Sequence, residues 1–437
     1  MKTIKVVILN WNGAAVLSRF LPSVVENTPS VVPGGKTHEG ETPGGKTHGG
    51  APHRVEIVVA DNGSTDGSVE LLKRDFPDVR LVLLDRNHGF AGGYNRALAQ
   101  LRAEDSWAAA ENDASGANDA SGVHHVSDAN EASGAHHASG ANVKTGSETD
   151  YYVLLNSDVE TPPGWLEPLI EMLAANPDVA AAAPKLLAFN DSEPPSFDDK
   201  PLSSNSKPTP CPPRCLCESA SFEYAGASGG FIDALGYPFC RGRIMGTTEC
   251  DAGQYDDARE VFWATGACLT CRVDVFHALG GFDESFFAHQ EEIDLCWRMQ
   301  SAGWRVMVEP RSYVYHLGAG TLPPSPQKLY LNYRNNLAML YKNLPSGRMQ
   351  LIVGVRLVLN FLSAMVYLLR GERKNFSAVM RAHRDFWSMK REGARAKRRQ
   401  IQSSRKAKPR GVYRGSIILR YLSGHRTFGN IKTEVGE

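Results

Sequence analysis

The sequence predicts an α/β fold built on a parallel, doubly wound sheet. Apolar runs of strand length alternate with helix-like segments along the first half of the chain, which is typical of a parallel sheet covered by helices on both faces. Tyr151–Leu155 consists only of apolar and aromatic residues, as expected of a strand buried on both sides. A polar turn follows most of these runs, so the sequence also predicts where the strands end.

The predicted elements follow one another in a regular order. The predicted strands are Ile4–Leu9, Val55–Ala60, Val79–Leu84, Tyr151–Leu155 and Val179–Pro184. The predicted helices are Ala14–Asn27, Ser68–Asp75, Gly92–Arg102 and Trp165–Asn176. A chain of 437 residues is long enough for two or three domains. We divide it into a first half at 1–225, a second half at 226–345 and a C-terminal part at 346–437.

Three segments interrupt this pattern and are predicted to be disordered insertions. Residues 29–53 repeat Pro-Gly-Gly-Lys-Thr-His, residues 104–149 repeat Ala-Ser-Gly, and residues 190–220 are rich in Pro and Ser. None contains enough apolar surface to offset the entropy cost of ordering. The first two run from a helix end to a strand start, which places them on the side of the sheet opposite a ligand crevice.

The cysteines do not predict a disulfide framework. The chain has eight, and its N-terminal apolar run is too short for a secretory signal, so we expect reduced thiols. Zinc is the less favoured alternative for the cluster Cys211, Cys215 and Cys217 and for the pair Cys268 and Cys271.

Polar residues follow the predicted strands in series. They are Asn10 and Asn12, then Asp61 and Asn62, then Asn87, Gly93 and Asn95, then Asn156 and Asp158. In an open α/β sheet such strand ends meet at one ligand crevice. Amides and carboxylates bind a base and a ribose, and glycines let the backbone approach a phosphate. The turn after the first strand lacks G-x-G-x-x-G, and the chain lacks a P-loop, which argues against those two nucleotide-binding folds.

Two acidic groups are candidates for chemistry. Asp158 is well placed to hold a hard divalent cation, although it is also placed to cap the next helix. Glu291, Glu292 and Asp294 crowd the start of a predicted helix that ends near Gly303. They either complement the helix dipole or raise one another's pKa toward that of a general base. His316 follows a later strand and is either structural or a metal ligand beside Asp158.

Taken together, these motifs resemble family 2 glycosyltransferases, and most closely the rhamnosyltransferase-like branch of bacterial envelope polysaccharide synthesis. The resemblance covers about residues 1–345 apart from the insertions. The motifs are Val6–Asn12, Asp61–Gly67, Asn87–Asn95, Asn156–Asp158, Gly280–Asp283 and Glu291–Arg298.

The resemblance implies a GT-A fold, a nucleotide-sugar donor, a divalent metal such as Mg²⁺ or Mn²⁺, and inversion at the anomeric carbon. It implies that Asp61 contacts the base or ribose. It matches the family's D-x-D motif to residues 156–158, so that Asp158 is the main carboxylate ligand and His316 a second ligand. The catalytic pair falls on Glu291 and Glu292. Since the family's second member is usually Asp, both stay candidates for the base.

Four further residues complete the predicted site. Trp263, Gly266 and Ala267 are expected to form the floor for the acceptor sugar, with a core aromatic as the alternative for Trp263. Arg334 is expected to reach the donor diphosphate from a following helix, with an ion-paired or solvated Arg as the alternative.

The C-terminal part predicts contact with a membrane surface. Leu351–Leu369 is apolar and long enough to span a bilayer, but Arg356, Asn360 and other polar residues recur on one helical face. Residues 390–410 contain ten Lys or Arg and one Glu, a net +9 that leaves −9 for the rest of the neutral chain. We expect a peripheral anchor on the cytoplasmic leaflet. A helix packed on the catalytic domain and a true span are the alternatives. Nucleic acid is not expected, since no aromatic residues interleave the basic ones.

The sequence therefore predicts an inverting, metal-dependent glycosyltransferase on the inner face of the bacterial plasma membrane. It would transfer a sugar from a UDP- or dTDP-sugar to a lipid-linked or growing glycan. One alternative is a non-catalytic glycan-binding or scaffold protein that retains the fold. Another is a sugar nucleotidyltransferase, which would need a basic glycine-rich loop that residues 10–13 lack.

Overall fold

A mixed sheet forms the centre of the fold. The computed structural model describes residues 2–36, 49–116, 149–189, 220–318 and 325–431. In chain order its strands are β1 Thr3–Asn10, β2 Val31–Lys36, β3 Gly49–Asp61, β4 Arg80–Leu83, β5 Tyr151–Asn156, β6 Val159–Glu160, β7 Val179–Ala188, β8 Gly230–Asp233, β9 Pro238–Cys240, β10 Arg243–Ile244, β11 Thr247–Thr248, β12 Arg259–Glu260, β13 Cys268–Arg272, β14 Arg305–His316 and β15 Val412–Tyr413.

Helices cover both faces of this sheet and form most of the C-terminal part. They are α1 Ala14–Asn27, α2 Ser68–Asp75, α3 Gly89–Gly116, α4 Glu167–Ala175, α5 Val273–Ala278, α6 Glu291–Ser301, α7 Pro326–Asn343, α8 Ser346–Leu369, α9 Arg373–Met389, α10 Arg395–Ser403 and α11 Ile417–Leu422.

The strand order confirms the predicted fold class. From one edge the order is β2, β3, β1, β5, β13, β7, β14 and β12, with β4 also paired to β3. The pairs β1–β3, β1–β5, β3–β4 and β7–β14 are parallel, as predicted for a doubly wound sheet. β13, which was not predicted, lies antiparallel between β5 and β7. Its antiparallel position brings the second half of the chain into the middle of the sheet.

Two hydrophobic cores lie on opposite faces of this sheet. Alternate residues of β1 enter different cores: Val7 packs in one core, and Val6 and Ile8 pack in the other. This is the period-two alternation of a strand covered on both faces. α3 contributes Leu98 to the first core, and α1 contributes Leu17 to the second.

The structure corrects the ends of two predicted insertions. Residues 31–36 and 49–54 pair as antiparallel strands β2 and β3, so these parts of 29–53 are not a plain loop. The helix predicted to end at Arg102 continues as α3 to Gly116, into the segment 104–149. The remaining parts, 37–48, 117–148 and 190–219, lie outside the described residues.

The cysteine prediction holds for four residues and fails at one. Cys240, Cys268, Cys271 and Cys296 are free and buried. Cys250 is disulfide-bonded, so the expectation of reduced thiols throughout is wrong. The alternative zinc cluster at residues 211–217 lies outside the described residues.

The C-terminal part packs on the rest of the chain through both of its predicted membrane features. Basic side chains of the 390–410 window bind the domain itself: Arg398 donates to the carbonyl of Leu344 at 2.7 Å, Arg410 contacts Glu260 at 2.7 Å, and Lys397 pairs with Asp283. β15 then adds to β8 in a second sheet, which runs β11, β10, β9, β8, β15. These three side chains are therefore engaged by the domain, and the membrane contact expected of the basic window stays a prediction.

α8 turns its polar stripe inward. Arg356 and Asn360 are 4% and 1% exposed, and the Arg356 guanidinium lies 3.5 Å from the centre of the Tyr237 ring. The outward side carries exposed apolar side chains, namely Leu351, Val358, Phe361, Leu362, Val366 and Leu369. By length and composition α8 could also cross a membrane. Thus the helix packs on the domain, which was one of the predicted alternatives, and leaves an apolar face uncovered by the described residues.

Candidate active site

The predicted donor-binding residues at the carboxyl ends of β1, β3 and β5 lie side by side at one edge of the sheet. Asn10 lies opposite Asp61 across the β1–β3 pair, and Leu9 lies opposite Asn156 across the β1–β5 pair. The Asn10 Nδ2 group donates to Asp61 Oδ2 at 2.9 Å. Because parallel strands in register end together, the side chains that were predicted separately meet at one edge.

Ser64 connects the first two turns by hydrogen bonds, although no separate role was predicted for it. Its Oγ accepts hydrogen bonds from Asn10 Nδ2 at 3.2 Å and from the Asn12 backbone at 2.8 Å. Asn12 has a positive φ of 50° and accepts from the Thr65 backbone. Asp61 is 2% exposed and also accepts from the Ser64 backbone at 2.8 Å. The Asp61 carboxylate is thus fixed in orientation, while its contact with a base or ribose stays a prediction.

Asn62 joins the second turn to the third. Its Nδ2 donates to Asn87 Oδ1 at 3.2 Å and to the Gly89 carbonyl at 3.1 Å. A Cβ added at Gly93 would lie 2.8 Å from the same Nδ2, so glycine there allows α3 to approach the end of β1. These amides build the wall of the crevice through their contacts with one another.

Asn95 points to the second half of the chain. Its Nδ2 donates to the Phe282 carbonyl and its Oδ1 accepts from the Phe282 backbone, both at 2.9 Å. Gly281, with φ of 64°, leaves the space for this contact, because a Cβ would lie 2.4 Å from Asn95 Oδ1. The geometry favours a role in joining α3 to the loop before α6 over direct contact with a donor.

Asp158 and His316 are in contact, as the proposed ligand pair requires. His316 Nε2 lies 3.2 Å from Asp158 Oδ1, and Asn156 Nδ2 lies 3.3 Å from the same ring nitrogen. The sequence reasoning missed Glu223, whose Oε2 lies 3.3 Å from His316 Nδ1. Glu223 lies just after the Pro/Ser-rich segment 190–220 in the sequence, and it belongs to no recognisable motif. Only the pairing of distant strands brings it to the histidine.

The surroundings set the charge of His316. Burial alone would lower the pKa of its imidazole, but the carboxylates of Asp158 and Glu223 raise that pKa to about 9. Without a metal the ring is therefore a cation between two carboxylates at neutral pH. Such a ring must lose a proton before one of its nitrogens binds a metal.

The donor set fits a divalent cation that also binds a ligand phosphate. Within the described ranges no group of three His, Cys, Asp or Glu side chains is arranged to hold a metal ion, since Asp158 and Glu223 face opposite nitrogens of His316. Asp158 Oδ1 is buried, and its charged partner among the described residues is the His316 ring at 3.2 Å. Mg²⁺ commonly takes one or two protein ligands and completes its shell with phosphate oxygens and water. Asp158 would supply the carboxylate of that arrangement, and His316 would join it only after losing its proton.

Glu291 and Glu292 start α6 in different surroundings. Glu291 is 4% exposed, and among the described residues its Oε2 has no hydrogen-bond partner. Burial, with the neighbouring Glu292 and Asp294 charges, raises the pKa of Glu291 well above its usual range. Glu292 is only partly exposed, and burial raises its pKa to about 7. Of the two, Glu292 has both access to solvent and the pKa of a general base at neutral pH.

The turn at Gly266 and Ala267 contacts both Glu292 and Asn156. A Cβ added at Gly266 would lie 3.5 Å from Glu292 Cγ, so the Glu292 side chain rests on this glycine. The next residue, Ala267, accepts a hydrogen bond at 2.9 Å from the backbone of Asn156, whose side chain meets His316. Glu292 and Asn156 therefore both contact the turn at residues 266–267, and Asn156 in turn meets His316.

The loop before α6 has unusual backbone geometry. Phe287, His289 and Gln290 all have positive φ, at 67°, 71° and 73°. Each such conformation costs about 1–3 kcal/mol in a residue other than glycine. Arg334 donates to the carbonyls of Ser285 and Phe286 in this loop, at 3.0 and 2.9 Å. Arg334 is thus engaged with the loop, and a role at a diphosphate would require it to leave these partners.

Trp263 packs against β8 in the interior of the protein. Its ring is 3% exposed, and its Nε1 donates to the Phe231 carbonyl at 3.0 Å. A Cβ at Gly230 would lie 2.0 Å from the ring, so β8 lies directly against it. The geometry favours the core-aromatic alternative for Trp263, and Gly266 and Ala267 remain the candidates for an acceptor floor.

The fold and the site together define a class of protein. It is an α/β protein whose neighbouring strand ends carry amides and carboxylates, with a Glu of near-neutral pKa against the turn at Gly266. Residues 6–109 match the model of the family described as Glycosyl transferase family 2. Over these residues the chain matches the family model, which agrees with the resemblance found in the motifs.

Curated relatives agree with this family. An N-acetylglucosaminyl-diphospho-decaprenol L-rhamnosyltransferase of Mycobacterium tuberculosis is 26% identical over 262 residues, which are 60% of this chain and 66% of the relative. The O-antigen biosynthesis protein RfbC of Myxococcus xanthus is 24% identical over 266 residues, 61% of this chain and 15% of RfbC. By name, the first is a rhamnosyltransferase and the second belongs to O-antigen biosynthesis, in agreement with the resemblance.

Among solved structures, S. aureus TarS 1-349 in complex with UDP-GlcNAc aligns with a TM-score of 0.44 and 13% identity. The alignment covers 97% of this chain and 92% of that one. A score of this size does not establish a shared fold, so the fold class rests on the strand order.

Proposed function

We propose that the protein is an inverting, metal-dependent glycosyltransferase of cell-envelope polysaccharide synthesis. It moves a sugar from a UDP- or dTDP-activated donor to a lipid-linked or growing glycan. One observation supports the proposal: Glu292 lies against Gly266, and the next residue, Ala267, is hydrogen-bonded to Asn156, which meets the Asp158–His316 pair. We propose that the sugar binds between this base and this phosphate-binding pair.

The donor nucleotide fits the crevice at the ends of β1 and β3. Asp61, oriented by Asn10 and Ser64, offers a fixed carboxylate to ribose hydroxyls or a base. The exposed Trp11 ring, at 49% exposure, stands beside these residues and offers a stacking surface. The diphosphate then lies toward Asp158 and His316. A divalent cation bound there would neutralise the diphosphate and stabilise the departing nucleotide.

Glu292 acts on the acceptor. Its carboxylate removes the proton from an acceptor hydroxyl, and the oxygen forms a bond to the anomeric carbon. The bond from that carbon to the donor phosphate oxygen breaks, and the nucleoside diphosphate carries away the electron pair. Attack from the face opposite the diphosphate inverts the configuration. A carboxylate of pKa about 7 is half deprotonated at neutral pH and still basic enough to help this attack.

We also propose that the acceptor is lipid-linked and that α8 contacts the membrane. The mycobacterial relative is named for an acceptor that is a sugar on a decaprenyl diphosphate, which supports a lipid-linked acceptor here. The outward face of α8 is apolar, and the exposed Arg348, Arg370, Arg373 and Lys374 lie at its two ends. An apolar face flanked by basic residues suits an anionic bilayer surface. We place the protein on the inner face of the membrane, with α8 parallel to it.

The test compares binding with transfer. Wild-type protein, Glu292→Gln and Asp158→Ala would be incubated with UDP- and dTDP-sugars, Mn²⁺ and an N-acetylglucosaminyl-diphospho-polyprenol. We expect Glu292→Gln to keep donor-dependent thermal stabilisation but lose transfer, and Asp158→Ala to lose the Mn²⁺-dependent part of both. Wild-type protein that is stabilised by donor and Mn²⁺ yet transfers to none of the acceptors would instead support a non-catalytic binding protein.

A further inference from the structure

The loop that leads into α6 is held in a conformation that it would not adopt alone. Phe287 has φ of 67° and ψ of −60°, and the Ala288 backbone donates back to the Phe286 carbonyl at 2.8 Å. This is a γ-turn of the strained hand. His289 and Gln290 follow with positive φ, and Gln290 directly precedes Glu291. Something outside the loop must therefore stabilise it.

Asn335 of α7 makes the contacts that do so. Its side chain is fully buried, and its single Nδ2 group lies 3.0 Å from the Phe286 carbonyl, 2.8 Å from the Ala288 carbonyl and 2.8 Å from the His289 carbonyl. Three carbonyl oxygens thus converge on one amide. An uncharged amide donates to them without leaving a buried charge, which an Asp of the same shape would not do.

The residues on either side of Asn335 bind the same loop. Arg334 donates to the Phe286 carbonyl at 2.9 Å, and Asn336 Nδ2 donates to Gln290 Oε1 at 3.2 Å. Arg334 Nε also donates to Asn335 Oδ1 at 3.0 Å, which fixes the orientation of the central amide. A run of three consecutive residues on α7 is therefore committed to the loop.

The opposite side of the loop contacts the donor half of the chain. The Ala91 backbone at the start of α3 donates to the Phe287 carbonyl at 3.2 Å. Gly89 has φ of 72°, and a Cβ there would lie 2.5 Å from the Phe287 ring. The loop is thus enclosed between α7 and the first turn of α3.

We propose that Asn335 is a positioning residue for the reaction, which holds this loop so that α6 begins at Glu291 and Glu292 rests on Gly266. The inference rests on the proposed function, because it assigns Glu292 the role of base. Asn335 itself touches neither substrate nor Glu292 and acts only through the loop. This role explains why Asn335, Arg334 and Asn336 all face the loop.

The test uses Asn335→Asp, which keeps the shape and removes the donors, and Asn335→Ala, which removes the donors without adding a charge. Asn27→Asp is the matched control, because Asn27 Nδ2 donates to the Thr161 carbonyl at 2.7 Å between two elements remote from the loop. Hydrogen exchange of residues 284–292 should rise in both Asn335 variants and stay unchanged in the control. Unchanged exchange would show that Asn335 does not hold the loop.

Kinetics and titration separate positioning from general stability. In Asn335→Ala we expect kcat to fall roughly 10²-fold with little change in donor KM, since small displacements of catalytic groups have effects of this size. The pKa of the Glu292 carboxyl, followed by ¹³C NMR and assigned with Glu292→Gln, should move toward the ordinary range. A raised exchange rate with unchanged kcat and unchanged Glu292 pKa would overturn the positioning role.

The two proposals fail in different ways. If wild-type protein transfers no sugar, the proposed function fails, while hydrogen exchange and the Glu292 titration still decide whether Asn335 positions Glu292. If wild-type protein transfers and Asn335→Ala keeps its kcat, only the positioning role fails.

Discussion

At the scale of single residues, Glu291 and Glu292 are neighbours on α6 but differ in burial and in contacts. Both begin α6, but Glu291 is buried without a hydrogen bond for its Oε2 from the described residues, whereas Glu292 reaches the Gly266 turn. Identical side chains therefore have different surroundings, because Glu291 is buried without a partner for Oε2 among the described residues and Glu292 lies against the Gly266 turn.

The pH dependence of transfer tests the assignment of Glu292. Burial raises the pKa of Glu292 to about 7, and only the deprotonated form accepts a proton. We expect kcat to rise about tenfold per pH unit below 7 and to level off above it. A pH series under saturating donor and acceptor measures this. Glu291→Gln should keep the profile, and a profile that Glu291→Gln abolishes would move the base to Glu291.

His316 should make metal binding release a proton. Burial opposes the charged imidazole, but Asp158 and Glu223 raise its pKa to about 9, so at pH 7 the ring must lose a proton to bind a cation. We expect Mn²⁺ affinity to increase with pH up to about 9. Calorimetry in two buffers of different ionisation enthalpy should show about one proton released at pH 7. Equal apparent heats in both buffers would contradict the assignment, and Asp158→Ala serves as the control for specific binding.

At the scale of elements, the start of α6 combines a strained loop with a buried acid. Three positive-φ residues lie in the loop, and Glu291 lies directly after them. Arrangements that cost stability at one place persist when the surrounding structure fixes them, and they cluster at functional sites. α7 supplies that surrounding structure through Asn335 and its neighbours.

Glu291 should lower stability as the pH rises. Its pKa is raised in the folded state by burial and by the charges of Glu292 and Asp294, so the folded state binds this proton more tightly than the unfolded state does. Stability then decreases with increasing pH above the unfolded value of about 4.5. We expect the difference in free energy of unfolding, Glu291→Gln minus wild type, to increase between pH 5 and pH 8. Urea denaturation at both pH values measures this, and a constant difference would contradict it.

The outward face of α8 gives a prediction for membrane binding. Leu362→Glu places a charge on an exposed apolar position, so we expect weaker binding to anionic vesicles with an unchanged fold. Val25→Glu on α1 is the matched control, since Val25 is also an exposed apolar residue of a helix. Vesicle co-sedimentation with circular dichroism distinguishes the outcomes. Equal binding of wild type and Leu362→Glu would remove α8 from the membrane contact.

At the scale of the whole molecule, the C-terminal part is a component of the folded domain. β15 extends the second sheet, and Ile417 and Phe428 are completely buried in the main core. Lys397 meanwhile reaches Asp283, which also pairs with Lys342 beneath α6. Lys342 also pairs with Asp294 of α6, so α6 is linked through Lys342 and Asp283 to Lys397, which lies 114 residues from Asp283.

Removing residues 411–437 should destabilise the protein strongly. The deletion exposes the β8 edge and removes Tyr413, Ile417 and Phe428 from the core, and each buried large apolar side chain contributes about 1.5–3 kcal/mol. We expect the free energy of unfolding to fall by at least several kcal/mol. Leu419→Ala is the control within the same segment, because Leu419 is 69% exposed and its replacement should change stability by less than about 0.5 kcal/mol. A truncated protein as stable as wild type would contradict the packing.

The sequence by itself determined the alternation of strands and helices, the polar residues at the strand ends and the resemblance to a family. These follow from local signals, since hydrophobic periodicity and polar turns are written in short stretches of chain. Only the tertiary structure decided that Glu223 meets His316, that Asn335 holds the loop before Glu291, and that the polar stripe of α8 faces inward. These contacts join residues far apart in sequence, and an amphipathic pattern does not specify which face the rest of the molecule covers.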